Sequence, residues 1–164
     1  MIVVSNASPL ISLSRIGQLE LLPQLFETVF VAEEVFQEVT VAGAGKPAAS
    51  AVAQAKWLLR KPAPTQSWFE IRRPKFGLGE LHTIALAELL HADLAVIDER
   101  GARRLAEGRG LKVMGCVGLL EVGFRRGLIG DLREVYQRLE REGAFVSREI
   151  LDRSLSAFGL PPLS

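Results

Sequence analysis

Apolar positions along the chain alternate between two periods, short unbroken runs and longer stripes spaced three and four residues apart. Ile2-Val3-Val4-Ser5, Thr28 to Val31, Leu94-Ala95-Val96-Ile97 and Leu111 to Met114 are short runs rich in branched residues, as expected of strands buried on both faces. After the first run, Leu10, Ile11, Leu13 and Ile16 predict a helix that Ser8 would cap and Pro9 would open. A second short helix carries Leu19, Leu22, Leu25 and Phe26. Glu33 to Val39 predicts two helical turns with Glu34 and Glu38 one turn apart, and a loop from Val41 to Pro47 leads into an alanine-rich helix ending near Leu59. Lys61 to Ser67, with two prolines, breaks the pattern before an expected edge strand, Trp68 to Arg72. Glu80 to Leu90 is apolar around most of its circumference and reads as a buried helix. Helices are then expected over Arg100 to Gly108, Val117 to Arg126, Asp131 to Glu142 and Ser147 to Phe158.

Strands alternating with helices predict an α/β sheet covered on both faces. With 164 residues and 48% apolar positions, the chain suffices for one well-buried core and is too short for two ordinary domains. A net charge of +1 supplies no global field toward nucleic acid or an anionic membrane, so anion binding must be local. Cys116 stands alone, which excludes a disulfide framework and a multi-cysteine zinc site, fits a reducing cytoplasm and reads as a small buried residue. No basic segment leads into an apolar stretch and cleavage site, and no apolar run approaches the roughly 18 residues of a membrane span, so a soluble cytoplasmic protein is expected.

Candidate chemistry lies where the strands end. In an open parallel sheet, ligands bind beyond the carboxyl ends of the strands, at the point where strand order reverses. The first strand ends on Asn6 and the strand from Leu94 ends on Asp98. If the two are neighbours, right-handed crossovers bring Glu80, at the start of the preceding helix, to the same crevice, with Glu38 as a fourth member. Clustered carboxylates repel one another, and a hard divalent cation relieves that repulsion. Oxygen ligands without a cysteine or histidine set favour Mg2+ or Mn2+ and point to metal-assisted phosphodiester hydrolysis. Solvated acids favoured by helix dipoles are the alternative.

Four segments in order, Val3-Val-Ser-Asn-Ala-Ser-Pro-Leu-Ile11, Val31-Ala-Glu-Glu-Val-Phe-Gln-Glu-Val39, Gly77-Leu-Gly-Glu-Leu-His-Thr-Ile-Ala-Leu-Ala87 and Leu94-Ala-Val-Ile-Asp-Glu-Arg-Gly-Ala-Arg-Arg104, resemble a PIN domain. More narrowly they are similar to a prokaryotic PIN-like family related to the toxin ribonucleases of VapC-type toxin–antitoxin pairs. The resemblance covers about residues 1–130 and implies a three-layer α/β/α fold with a mostly parallel central sheet. Residues 131–164 would form a C-terminal helical extension packed on the same domain. It further implies a magnesium-dependent ribonuclease site at Asn6, Glu38, Glu80 and Asp98, with metal on Glu38, Glu80 and Asp98. Ser8 matches a hydroxyl residue that orients the first acid, and Glu99 an outer acid. RNA, a small antitoxin and a second copy of the chain are the implied partners. The family's first aspartate falls on Asn6, which can still offer an oxygen but removes a charge and cannot act as a base. A PIN-fold module that binds RNA or protein without cutting is therefore the competing reading.

Arginine outnumbers lysine, and its planar fork suits phosphate. Arg100, Arg103 and Arg104 follow Asp98 closely and are candidates to hold an RNA backbone, and Arg72, Arg73 and Lys75 form a second basic stretch. Gly43-Ala-Gly45-Lys46 fails as a phosphate loop because Thr40 and Pro47 stand where glycine and a hydroxyl residue are required. His82 and His91 read as surface or satisfied histidines, and Trp57 and Trp68 as core or dimer contacts.

Overall fold

A computed structural model describes every residue of the chain except Phe145. The fold is built on five parallel strands in the order β3-β2-β1-β4-β5. They are β1 (Ile2–Ser5), β2 (Thr28–Ala32), β3 (Leu58–Lys61), β4 (Leu94–Val96) and β5 (Val113–Met114). Val3, Val4, Val29, Val31, Ala95 and Val96 are buried, as a sheet covered on both faces requires. Strand order reverses between β1 and β4, which pair Val3 with Leu94 and Ser5 with Val96. The adjacency assumed from the sequence is therefore real, and the Asn6 N–H extends it by donating to the Val96 carbonyl at 2.9 Å.

Helices α1 (Ala7–Arg15), α2 (Leu21–Leu25), α3 (Glu33–Gln37), α4 (Pro47–Ala53), α5 (Phe69–Arg72), α6 (Leu78–Leu89), α7 (Arg100–Gly108), α8 (Cys116–Arg125), α9 (Leu132–Arg141) and α10 (Arg148–Ala157) make up the outer layers. A π-helical turn over Glu38–Ala42 continues α3. Helix α6 is buried over Leu81 to Ala87, as its all-round apolar pattern predicts. The buried side chains of α9 and α10, among them Leu132, Leu139, Leu151 and Leu155, belong to the same apolar cluster as the sheet. No helix among the described residues is long and apolar enough to cross a membrane.

Two elements differ from the sequence reading. The alanine-rich helix stops at Ala53, and Leu58–Lys61 pairs with β2 as an edge strand. Only Leu58 of that strand is buried, so neither alternation nor an apolar run announces it. Trp68 to Arg72, expected as an edge strand, instead contains α5, with the Arg73 N–H closing a turn on the Phe69 carbonyl at 2.8 Å. Its aromatic and branched residues favour a strand locally, but Phe69 is buried while Ile71 is 78% exposed, and packing of the one aromatic face decides. A third difference is smaller: α1 begins at Ala7, with Asn6 at the cap position, and the Ser8 hydroxyl turns toward Asp98.

Candidate functional site

The carboxyl ends of β1 and β4 deliver Asn6 and Asp98 side by side at the point of strand reversal. Asp98 is held from three directions. One carboxylate oxygen accepts the Cys116 N–H at 2.6 Å, the other accepts the Ser8 hydroxyl over a long 3.5 Å, and the Arg103 charge lies nearby. Burial nevertheless raises its pKa, and these three contacts only oppose that shift. The close approach depends on Gly115: a Cβ there would lie 2.7 Å from Arg103 Nη1 and 3.1 Å from Asp98 Oδ1.

Asn6 is buried, and its amide oxygen lies 3.2 Å from the Thr83 hydroxyl, which also donates to the Gly79 carbonyl at 2.8 Å. One proton serves two acceptors, so Asn6 is only partly satisfied by it. Thr83 is thus a site residue that the sequence reading missed. Its one legible signal was a hydroxyl in an otherwise apolar helix face three residues after Glu80.

Glu80 opens α6, where Oε1 accepts the Gly77 N–H at 3.3 Å. Oε2 is buried without a hydrogen-bond partner. Burial raises its pKa first, the Gly77 N–H lowers it, and the neighbouring Glu99 and Glu38 carboxylates raise it further. Glu38 starts the π-helical turn, and its Oε2 would be 2.9 Å from a Cβ on Gly79, so it rests against bare backbone. Such turns are rare and often mark functional positions.

Glu99, read as an outer acid, lies near Glu80 and also closes the start of a helix. Its carboxylate caps α7 by accepting the Gly101 N–H at 2.9 Å and the Ala102 N–H at 2.6 Å, and those bonds lower its pKa. His82, expected at the surface or satisfied, is buried, with Nδ1 3.5 Å from Glu34 Oε2 and outside hydrogen-bond geometry. His91 is exposed in a left-handed turn after α6. Trp57 donates to Glu20 at 3.2 Å, and Trp68 packs edge-on against Phe69. Cys116 is buried, as read, and burial pushes its thiol pKa up.

The structure therefore sets Asn6 and Asp98 at neighbouring strand ends, with Ser8 and Arg103 beside Asp98, and Glu80 near Glu38 and Glu99. Arg100 is exposed at the start of α7, and Arg104 faces a groove beyond the acids, lined also by Arg72 and Lys75. A family model for a PIN domain, DUF3368, matches residues 2–160. The chain is a PIN-domain protein. No curated protein and no solved structure matches it significantly.

The donor chemistry of this PIN domain suits a hard cation: carboxylate oxygens, surplus negative charge, and an unpartnered Glu80 Oε2. In the side-chain positions described, no three His, Cys, Asp or Glu residues among the described residues are grouped closely enough to hold a metal ion.

Proposed function

We propose that this PIN-domain protein binds RNA and hydrolyses its phosphodiester bonds at the carboxyl edge of the sheet, with Mg2+ or Mn2+ held by Glu38, Glu80 and Asp98. One observation carries the reading: beside the strand reversal Glu80 Oε2 is buried with no partner and Asp98 is largely enclosed, and burial pushes the pKa of both carboxyls up. Uncompensated charge of this kind is costly in a protein built only for stability and useful where a cation or a reacting phosphate arrives. When bound, the metal supplies charge neutralisation at the scissile phosphate and activation of water. The chain supplies the rest. The Cys116 N–H and Ser8 fix the direction of the Asp98 carboxylate, Arg103 offers a guanidinium to a phosphate beside it, and Thr83 steadies the Asn6 amide.

The test is cleavage of a labelled single-stranded RNA with and without Mn2+. Metal-dependent cutting that disappears in Asp98→Asn supports the proposal, whereas the absence of cutting in both wild type and Asn6→Asp contradicts it. That second outcome supports a PIN module that binds without cutting, a reading favoured by the neutral residue at position 6 and the spread of the acids. The toxin role, a small antitoxin and a homodimer belong to the same proposal. A neighbouring reading frame for a small protein and sedimentation of the purified chain address them.

A further inference from the structure

Next to the acids lies a groove of ≈ 490 Å³ between the segment joining α5 to α6 and helix α7. Three cations face it: Arg72 from the end of α5, Lys75 from the joining segment and Arg104 from α7. Among the described residues, no carboxylate lies within 4.0 Å of these three groups, whereas Arg109 at the far end is neutralised by a two-bond pair with Glu88 at 2.8 and 3.1 Å. In a chain whose net charge is only +1, this is a local concentration of unpaired positive charge. Along α7, Gly101, Arg104, Leu105 and Gly108 fall at successive turns of one face, so bare backbone flanks the cation. The aromatic ring of Phe76 forms part of the wall and reaches within 3.3 Å of where a Gly101 Cβ would be. The groove also has a defined end. Gly101 gives its N–H to Glu99, Phe76 is followed by Gly77, and Gly77 gives its N–H to Glu80.

We propose that this groove binds the sugar–phosphate backbone of single-stranded RNA and leads it to the acidic edge. The proposal rests on the RNA-binding reading above and adds the path of the strand. Unpaired cations take phosphate charge, the glycine-lined helix face admits a backbone closely, and Phe76 offers a surface on which an unpaired base stacks. The combination of ring and cations favours a nucleic acid, in which every base offers a π-face beside its phosphate, over an acidic polypeptide, whose carboxylates offer none. Consecutive residues of α7 divide the work, with Arg103 beside Asp98 and Arg104 in the groove.

The experiment measures fluorescence anisotropy of labelled oligouridine with full-length protein, without added divalent metal, across a salt series. For single strands each phosphate contact contributes a slope of about −0.7 to log K against log salt, or about fourfold in affinity at 0.15 M salt. Arg72→Gln, Lys75→Gln and Arg104→Gln should each weaken binding by about that factor and flatten the slope by about 0.7. The triple variant should lose the product of the three, with its circular dichroism and thermal midpoint unchanged because the side chains are exposed. Wild-type binding that the triple variant retains in affinity and slope overturns the proposal. So does a wild-type protein that ignores oligouridine, whether or not it binds polyglutamate through the same three residues. Glu80→Gln and Asp98→Asn separate the two readings: oligouridine affinity retained with cutting lost supports both. Groove-dependent binding with no cutting in any form upholds the groove and removes the nuclease.

Discussion

Two polar regions of this PIN domain are buried with opposite outcomes. Between α9 and α10 the Tyr136 hydroxyl meets the Ser154 hydroxyl at 2.6 Å, both inside the apolar cluster, and burial pushes the phenol up to about 12 against the effect of that bond. The pair is satisfied and carries no charge. At the carboxyl edge of the sheet, by contrast, Glu80 Oε2 has no partner, Glu34 and His82 miss each other at 3.5 Å, and burial raises the pKa of both Glu80 and Asp98. All of these groups sit on or beside α3, α6 and the tip of β4. Three of the four buried side-chain polar atoms left without partners among the described residues lie here, the fourth being Trp68 Nε1 at the start of α5.

That contrast can be broken most forcefully at Asp98. Asp98→Asn keeps an oxygen for the Cys116 N–H but removes the charge, so RNA cleavage should fall by about 100-fold or more while the thermal midpoint stays near wild type. Unchanged cleavage would move the chemistry elsewhere. Next in size, Tyr136→Phe strands the Ser154 hydroxyl and should cost about 1–2 kcal/mol in a denaturant titration with no effect on metal affinity.

Gly79→Ala sharpens the comparison by separating the two properties. A Cβ displaces the flexible Glu38 carboxylate, so Mn2+ binding should weaken, while stability holds or rises by at most about 1 kcal/mol from the lost glycine entropy. The smallest effect is at Glu80. Its folded pKa lies above the ordinary 4.5, so the protonated form suits the fold: its contribution is fully present below 4.5 and is lost as pH rises through the folded value. Glu80→Gln should therefore match wild type in acid and become the more stable protein toward neutral pH. The gain is below about 1 kcal/mol because the group is partly exposed and screened. Saturating Mn2+ should stabilise wild type more than this variant.

What could be read in advance follows the same division. β1, β2 and β4 announced themselves because strands buried on both faces must be apolar throughout, and α9 and α10 because Asp131 and Ser147 cap them and Gly143 and Gly159 follow their ends. That Asn6 and Asp98 would stand at neighbouring strand ends was legible once strand order is assumed. Leu58–Lys61 and Phe69–Arg72 were not, since one buried residue in each leaves period undetermined and pairing partners far along the chain decide. Gly79 and Gly115 were hidden too, and Thr83 showed only a hydroxyl in an apolar helix face. Their importance lies in what they touch across the fold, and no local pattern encodes a contact 77 residues away.

The central claim is that the edge holding Asn6, Glu38, Glu80 and Asp98 is short of positive charge. Calorimetric titration of Mn2+ into wild type, Asn6→Asp and Asp98→Asn tests it most directly. The account predicts saturable binding in wild type, tighter binding when position 6 gains a carboxylate and loss when position 98 loses one. Absence of saturable binding in all three, or equal binding in all three, would contradict it.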